Sequence, residues 1–162
     1  MAVPAIFNDL QQSPFGRLIA ESTWMFPTIE TVHVFALAIV IGSIVMVDVR
    51  LLGWASKERP VSALSQNVLP WTWSAFILAA ISGSLLFAAR AADYMTLTSW
   101  YLKFMFMGLA ALNMVIFHFV TQRDMAQWDS GRPVMAARVA GGLSLLFWGA
   151  VVICARKVGF SL

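Results

Sequence analysis

Charge is what this chain has least of. Eleven Lys and Arg and eight Asp and Glu in 162 residues make up 12%, against 60% hydrophobic residues. That balance excludes a disordered chain and an ordinary soluble domain. Cysteine is nearly absent: the single Cys154 excludes an intrachain disulfide and any Cys-pair metal motif. Histidine is almost as scarce, with only His33 and His118. The sequence holds no Gly-rich phosphate loop and no acid pair within an apolar stretch, so nucleotide hydrolysis and two-carboxylate catalysis have no signature here. Its basic residues form no stripe, so nucleic acid is not an expected partner.

What the chain does have is apolar length. Four stretches, about 31–49, 71–92, 100–120 and 139–155, are long enough for a hydrocarbon core that takes roughly 20 helical residues to cross. Short connections between them predict antiparallel neighbours. The expected fold is all-α: one transmembrane domain over 1–162, an up-down-up-down four-helix bundle in the lipid bilayer of a bacterial inner membrane. Residues 1–27 carry Asp9, Arg17 and Glu21 and lack a long apolar run, so an interfacial helix is expected there, not a cleavable signal. Ser13 followed by Pro14 is a good helix start, and Phe15, Leu18, Ile19 and Trp24 are expected in the headgroup region. Pro27 suits the first turn of the first span.

Four spans put both termini and the 93–99 turn on one side, the terminal side, and the 52–70 and 121–137 loops on the other. The loop side holds Arg50, Lys57, Arg59, Arg123, Arg132 and Arg138; the terminal side holds Arg17, Arg90, Lys103, Arg156 and Lys157. The small excess predicts cytoplasmic loops and termini outside the cytoplasm. Small residues such as Gly83, Gly141 and Gly142 mark close helix approach, and the Gly-Gly pair would also pass a flat cofactor.

Lys103, Met107, Ala110, Met114 and His118 recur along one face of the third span, a stripe that should point at protein or cofactor. On the terminal side His33, Arg90, Lys103 and Arg156 share a depth, one from each span. An imidazole among cations suits an axial haem ligand with basic partners for the propionates, or an anionic substrate. The plain alternative is snorkelling cations and a structural histidine. His118 falls at the opposite face, about 22 Å away in depth at 1.5 Å rise per residue, so the two histidines cannot sandwich one haem within a monomer.

On the loop side Asp48, Arg50, Asn113 and Arg138 are expected to form a polar network, with Asp48 pairing with Arg138 or orienting His118. Asn113, mid-span, needs an interhelical hydrogen bond. A metal site built from His118 with Met107, Met114 and Met46 is conceivable, although methionine is an ordinary filler of helix interfaces.

Several residues carry a resemblance: Trp24, Pro27, Glu30, His33, the run Asp48-Val49-Arg50-Leu51-Leu52-Gly53, Ser82-Gly83, Phe87, Lys103, Asn113, His118, Trp128, Arg138, Ser144, Trp148 and Arg156. Together they resemble an uncharacterised family of small four-helix bacterial membrane proteins. More distantly, His33 with Arg50, Trp100 with Lys103, and a later His118 resemble the haem-binding four-helix protoporphyrinogen oxidases and the copper-resistance D membrane proteins. That likeness implies His33 as a haem ligand and Lys103 as a functional cation. The last span lacks the acidic, proline-containing segment of those oxidases, so porphyrinogen oxidation itself is not implied.

The leading expectation is a small b-type cytochrome-like protein: haem b on His33, with electron exchange to a quinone or a redox partner. The alternatives are a non-redox accessory membrane subunit and a metal-handling protein. A homo-oligomer would bring a second imidazole near each site.

Overall fold

In a computed structural model the chain is described over residues 3–55, 59–121, 128–129 and 131–161, and no strand occurs among them. The helices are α1 (Ala5–Gln12), α2 (Pro14–Glu21), α3 (Met25–Leu51), α4 (Val61–Ala89), α5 (Ala91–Thr96), α6 (Thr98–Ile116) and α7 (Met135–Ser161), with a π-helical turn, Phe117–Thr121, continuing α6. Four of them, α3, α4, α6 with its π turn, and α7, are long and apolar enough to cross a membrane. Their outer faces carry large side chains in the open, among them Phe35, Ile77, Ile81 and Ile153. Contact with a lipid bilayer accounts for such a surface.

The elements begin where local chemistry dictates. Ser13 caps α2, its hydroxyl accepting from Gly16 N at 3.0 Å, and Pro14 occupies the first turn. The Ser22 hydroxyl accepts from Met25 N at 3.1 Å to open α3, and Pro27 falls in the first turn, where its missing N–H is harmless. At its far end α3 closes in a Schellman turn: Gly53 N donates to Arg50 O at 3.0 Å, Trp54 N to Val49 O at 3.1 Å, and Gly53 has φ 77°.

Antiparallel pairing follows from the contacts. His33 of α3 meets Ser82 of α4, while Leu51 packs with Val61. Asn113 of α6 meets Ala140 of α7, while Phe117 packs near Ala137. Gly141 of α7 lies against Asp48 and Leu51 of α3 so closely that a Cβ would stand 3.0 Å from the Asp48 carbonyl and from Leu51 Cβ. The backbones therefore approach as small residues allow. Here the glycine serves α3–α7 packing. α3 packs along α4 and α7, and α6 along α7; among the described residues α4 and α6 do not pack along each other. A stack of rings bridges them instead, with Phe87 at 5.4 Å and Tyr94 at 4.5 Å from Trp100.

Three expectations change. The second helix begins at Val61, with Pro70 inside it, where a loop to Pro70 was expected. Val61 and Leu64 are buried, so their packing outweighs the lost Pro70 hydrogen bond. Residues 5–12 form a helix of their own, and Gln11 reaches from its end to α5, accepting from Ala92 N at 2.8 Å and donating to Asp93 at 3.3 Å. Ile19, expected among headgroups, is 1% exposed because α2 packs on α4; Phe15, Leu18 and Trp24 are exposed.

Candidate functional site

His33 stands one-third of the way along α3 and faces α4. Its Nδ1 lies 3.0 Å from Ser82 Oγ. The Ser82 hydroxyl has one proton, and the Leu78 carbonyl accepts it at 2.7 Å, with the Ala79 carbonyl at 3.3 Å. With its own proton on Leu78, the hydroxyl is an acceptor for a proton on Nδ1, and the Ala79 carbonyl is a further acceptor for a ring N–H. Ser82 is 3% exposed, so water does not compete for this bond. Gly83 makes room for the ring, since a Cβ there would stand 2.9 Å from His33 Cε1.

The cations are distributed around this end in different ways. Lys103 Nζ lies 5.1 Å above the Trp100 ring and 5.7 Å from Phe104, close enough to His33 for its charge to be felt at the imidazole. These are cation–π distances. The Arg90 guanidinium lies 5.3 Å from the Phe26 ring and its charge reaches Tyr94. Burial pushes the Tyr94 phenol above its ordinary value, Arg90 opposes the shift, and Glu30 and Asp93 add to it. Arg156 lies over Phe160 at 4.2 Å, one turn on in its own helix. Lys103 thus acts on His33 through its charge alone, Arg90 lies against Phe26 and acts on Tyr94, and Arg156 makes its ring contact along α7.

His118 is elsewhere. It lies exposed in the π turn, its ring edge-on to Phe117 at 6.1 Å. Among the described residues no group of three His, Cys, Asp or Glu could hold a metal ion.

The expected loop-side network resolves into separate contacts. Asp48, 5% exposed, hydrogen-bonds Ser144 of α7, and its Oδ2 has no partner among the described residues. No ion pair joins Asp48 to Arg138, and none of its contacts reaches His118. Arg50, 1% exposed, donates through Nε to Arg59 O at 2.8 Å and through Nη2 to Asp129 O at 3.1 Å and Gly131 O at 3.4 Å. Residues two apart on a helix point to opposite sides, so Asp48 meets α7 while Arg50 meets the two loops. Asn113 donates to Ala140 O at 2.9 Å across α6 and α7. Arg138 lines a cavity with Arg50 and Arg132. Lys57 and Arg123 lie outside the described residues.

Asp129 and Ser62 carry a role that pattern reading missed. The Asp129 carboxylate accepts from Ser62 N at 2.8 Å and from the Ser62 hydroxyl, while its carbonyl accepts from Val61 N at 3.3 Å. It caps α4 from a distant loop. Burial alone would raise its carboxyl, but the Ser62 bonds, the Val61 N–H and the nearby Arg50 charge hold it below the ordinary carboxylate range. The faint signal was an acid beside Trp128, which is 5% exposed and anchors the loop on Leu51, Val61 and Ala137.

Fold and site together define an all-α protein with four helices able to span a membrane and a histidine in contact with a buried serine between two of them. Over residues 15–161 the chain matches the family described as Family of unknown function (DUF6644), and it belongs to that family. No curated protein and no solved structure matches it.

Proposed function

We propose that this protein is a small b-type cytochrome-like membrane protein in which His33 would ligate haem b through Nε2. A single observation supports the reading: His33 Nδ1 lies 3.0 Å from the Ser82 hydroxyl, whose own proton can go to the Leu78 carbonyl, so that Nδ1–H would donate to Ser82 and Nε2 would ligate. Ligating imidazoles are held this way, through a hydrogen bond from the other ring nitrogen. When bound, the haem supplies one-electron redox chemistry. Lys103, whose charge reaches the imidazole, with Arg90 and Arg156, would supply the cations for the propionates. The Phe87, Tyr94 and Trp100 stack beside Lys103 offers a flat apolar surface to a quinone ring, and a redox protein is the other electron partner. The four long helices form an up-down-up-down bundle in a bacterial inner membrane, α1 and α2 lie at the interface, and the termini are non-cytoplasmic. A second axial ligand from another copy of the chain would make the active species a homo-oligomer.

The test is the absorption spectrum of the full chain, purified in detergent after expression with ample haem. A Soret band that His33→Ala removes is the expected result; colourless wild-type protein overturns the reading. The exposed α6 favours a second reading, a non-redox accessory subunit: its span is the least buried of the four, at 6%. Colourless protein that copurifies with a membrane partner would decide for it.

A further inference from the structure

Where α3 ends and α7 begins the chain leaves a cavity of about 590 Å³, lined by Arg50, Arg132, Arg138, Trp54 and Pro133 among others, and none of the described lining residues is acidic. The proposed function makes no use of it. The one ion pair among the described residues is Arg17 with Glu21, on α2, so none of the three arginines has a described carboxylate within 4.0 Å. Asp129 feels the charge of Arg50, but its carboxylate is taken up by Ser62.

The three guanidiniums differ in what they can do. Arg50 is fixed by three carbonyls and supplies a charge that cannot move away. Arg132 is exposed and Arg138 half-buried, so their forks are available to a ligand. Three like charges around one cavity repel one another, and an anion seated between them removes that cost. Arginine forks match phosphate oxygens in pairs, which a lone ammonium does not. Trp54, 71% exposed, stands at the rim just after the end of the α3 span. Tryptophan favours that depth of a membrane, where lipid headgroups lie.

We propose that this cavity binds a phosphate-bearing anion through Arg132 and Arg138 over the fixed charge of Arg50. The same chemistry is offered by the headgroup of an anionic phospholipid and by a free phosphate, and the experiment separates them. Delipidated full-length protein in neutral detergent is mixed separately with phosphatidylglycerol, phosphatidylcholine and inorganic phosphate, and bound species are counted by native mass spectrometry. Binding of phosphatidylglycerol over phosphatidylcholine, unmoved by millimolar phosphate, assigns the site to lipid. Binding of phosphate itself, or its competition with the lipid, assigns it to a free anion. In either case Arg132→Ala with Arg138→Ala should weaken binding about tenfold or more, the scale of one lost charge-assisted contact. Arg50 is left in place because it holds the loops. Should the double variant fail to fold, the exposed Arg132→Gln alone gives the same comparison. Wild-type protein that takes up neither anion, or a folded variant that binds as well as wild type, overturns the proposal.

Discussion

Gly83 and His33 meet with no room to spare: a Cβ on residue 83 would stand 2.9 Å from the imidazole Cε1. Gly83→Ala must therefore push the ring from its place or part α3 from α4. Overpacking of this kind costs about 1–3 kcal/mol. The expected outcome is lower resistance to denaturant together with loss of most His33-dependent absorbance. Ser82→Ala adds no bulk but removes the acceptor for Nδ1–H, so the bundle should survive while haem affinity falls about 10–100-fold, as for other supporting partners of ligating histidines. Haemin titration of the apo-protein measures both. If Ser82→Ala binds haemin as tightly as wild type, the tautomer argument fails.

Arg50 holds three loop carbonyls at once, and its removal orphans all of them in a buried place. Hydrogen bonds from a charged donor each contribute about 1.5–3 kcal/mol, so Arg50→Ala should cost at least about 3 kcal/mol. Arg50→Lys keeps the charge but loses the fork, and an intermediate loss is expected. Unfolding in mixed micelles with increasing dodecyl sulfate gives the comparison. Equal stability of all three proteins would mean that the loops are held by something else.

The capping carboxylate of Asp129 gives stability a pH dependence of definite sign. Its folded-state value lies below the ordinary 3.8 because the Ser62 and Val61 hydrogen bonds and Arg50 outweigh burial. Its contribution is therefore complete above that ordinary value and disappears as pH falls through the lower, folded one. Asp129→Ala should cost about 1 kcal/mol at neutral pH, the usual worth of a helix cap. The gap between variant and wild type should narrow below about pH 4. A gap that stays constant down to pH 2 would contradict the assignment.

Much of this structure was legible from composition and spacing, because apolar runs of membrane length have few alternatives to helix. Four spans, the Ser13 cap, the place of Pro27 and the helix crossing of Asn113 all rest on local rules. What escaped was decided by contacts distant in sequence. Val61 and Leu64 extend α4 below Pro70 because Trp128 packs there, and nothing in residues 61–70 announces that neighbour. Asp48 and Arg50 read as one network when only depth is considered, whereas rotation about the helix sends them to different partners. His33 could be picked out by its rarity, but its partner Ser82 reads in sequence as one more small residue.

Membrane orientation is the next test. The basic residues divide six to five in favour of the loop side, which predicts a cytoplasmic loop side. Single cysteines replacing exposed Trp54 and exposed Arg132, in a Cys154→Ser background, should resist impermeant maleimide applied to intact cells. Cysteines at Asp9 or Thr96, on the terminal side, should react. Labelling of Trp54→Cys from outside would reverse the orientation and put the His33 end on the cytoplasmic face.

The last prediction separates the two histidines. Phe117, next to His118, packs at the Leu51 end of α3, whereas His33 lies 18 residues back along the same helix. At 1.5 Å per residue that is about 27 Å of helix, somewhat more than the depth gap expected from the sequence alone. No haem iron can be shared by groups so placed within one chain. His118 is also exposed and has only a ring-edge contact with Phe117, so its loss opens no cavity and orphans no described partner. His118→Ala should thus leave His33-dependent absorbance unchanged and alter stability by less than about 0.5 kcal/mol, the range of surface substitutions. Absorbance and denaturant resistance of the two alanine variants, measured side by side with the oligomeric state, decide the matter. If His118→Ala alone removes the same haem from a protein shown to be monomeric, the placement of Phe117 and His118 at the Leu51 end of α3 is wrong.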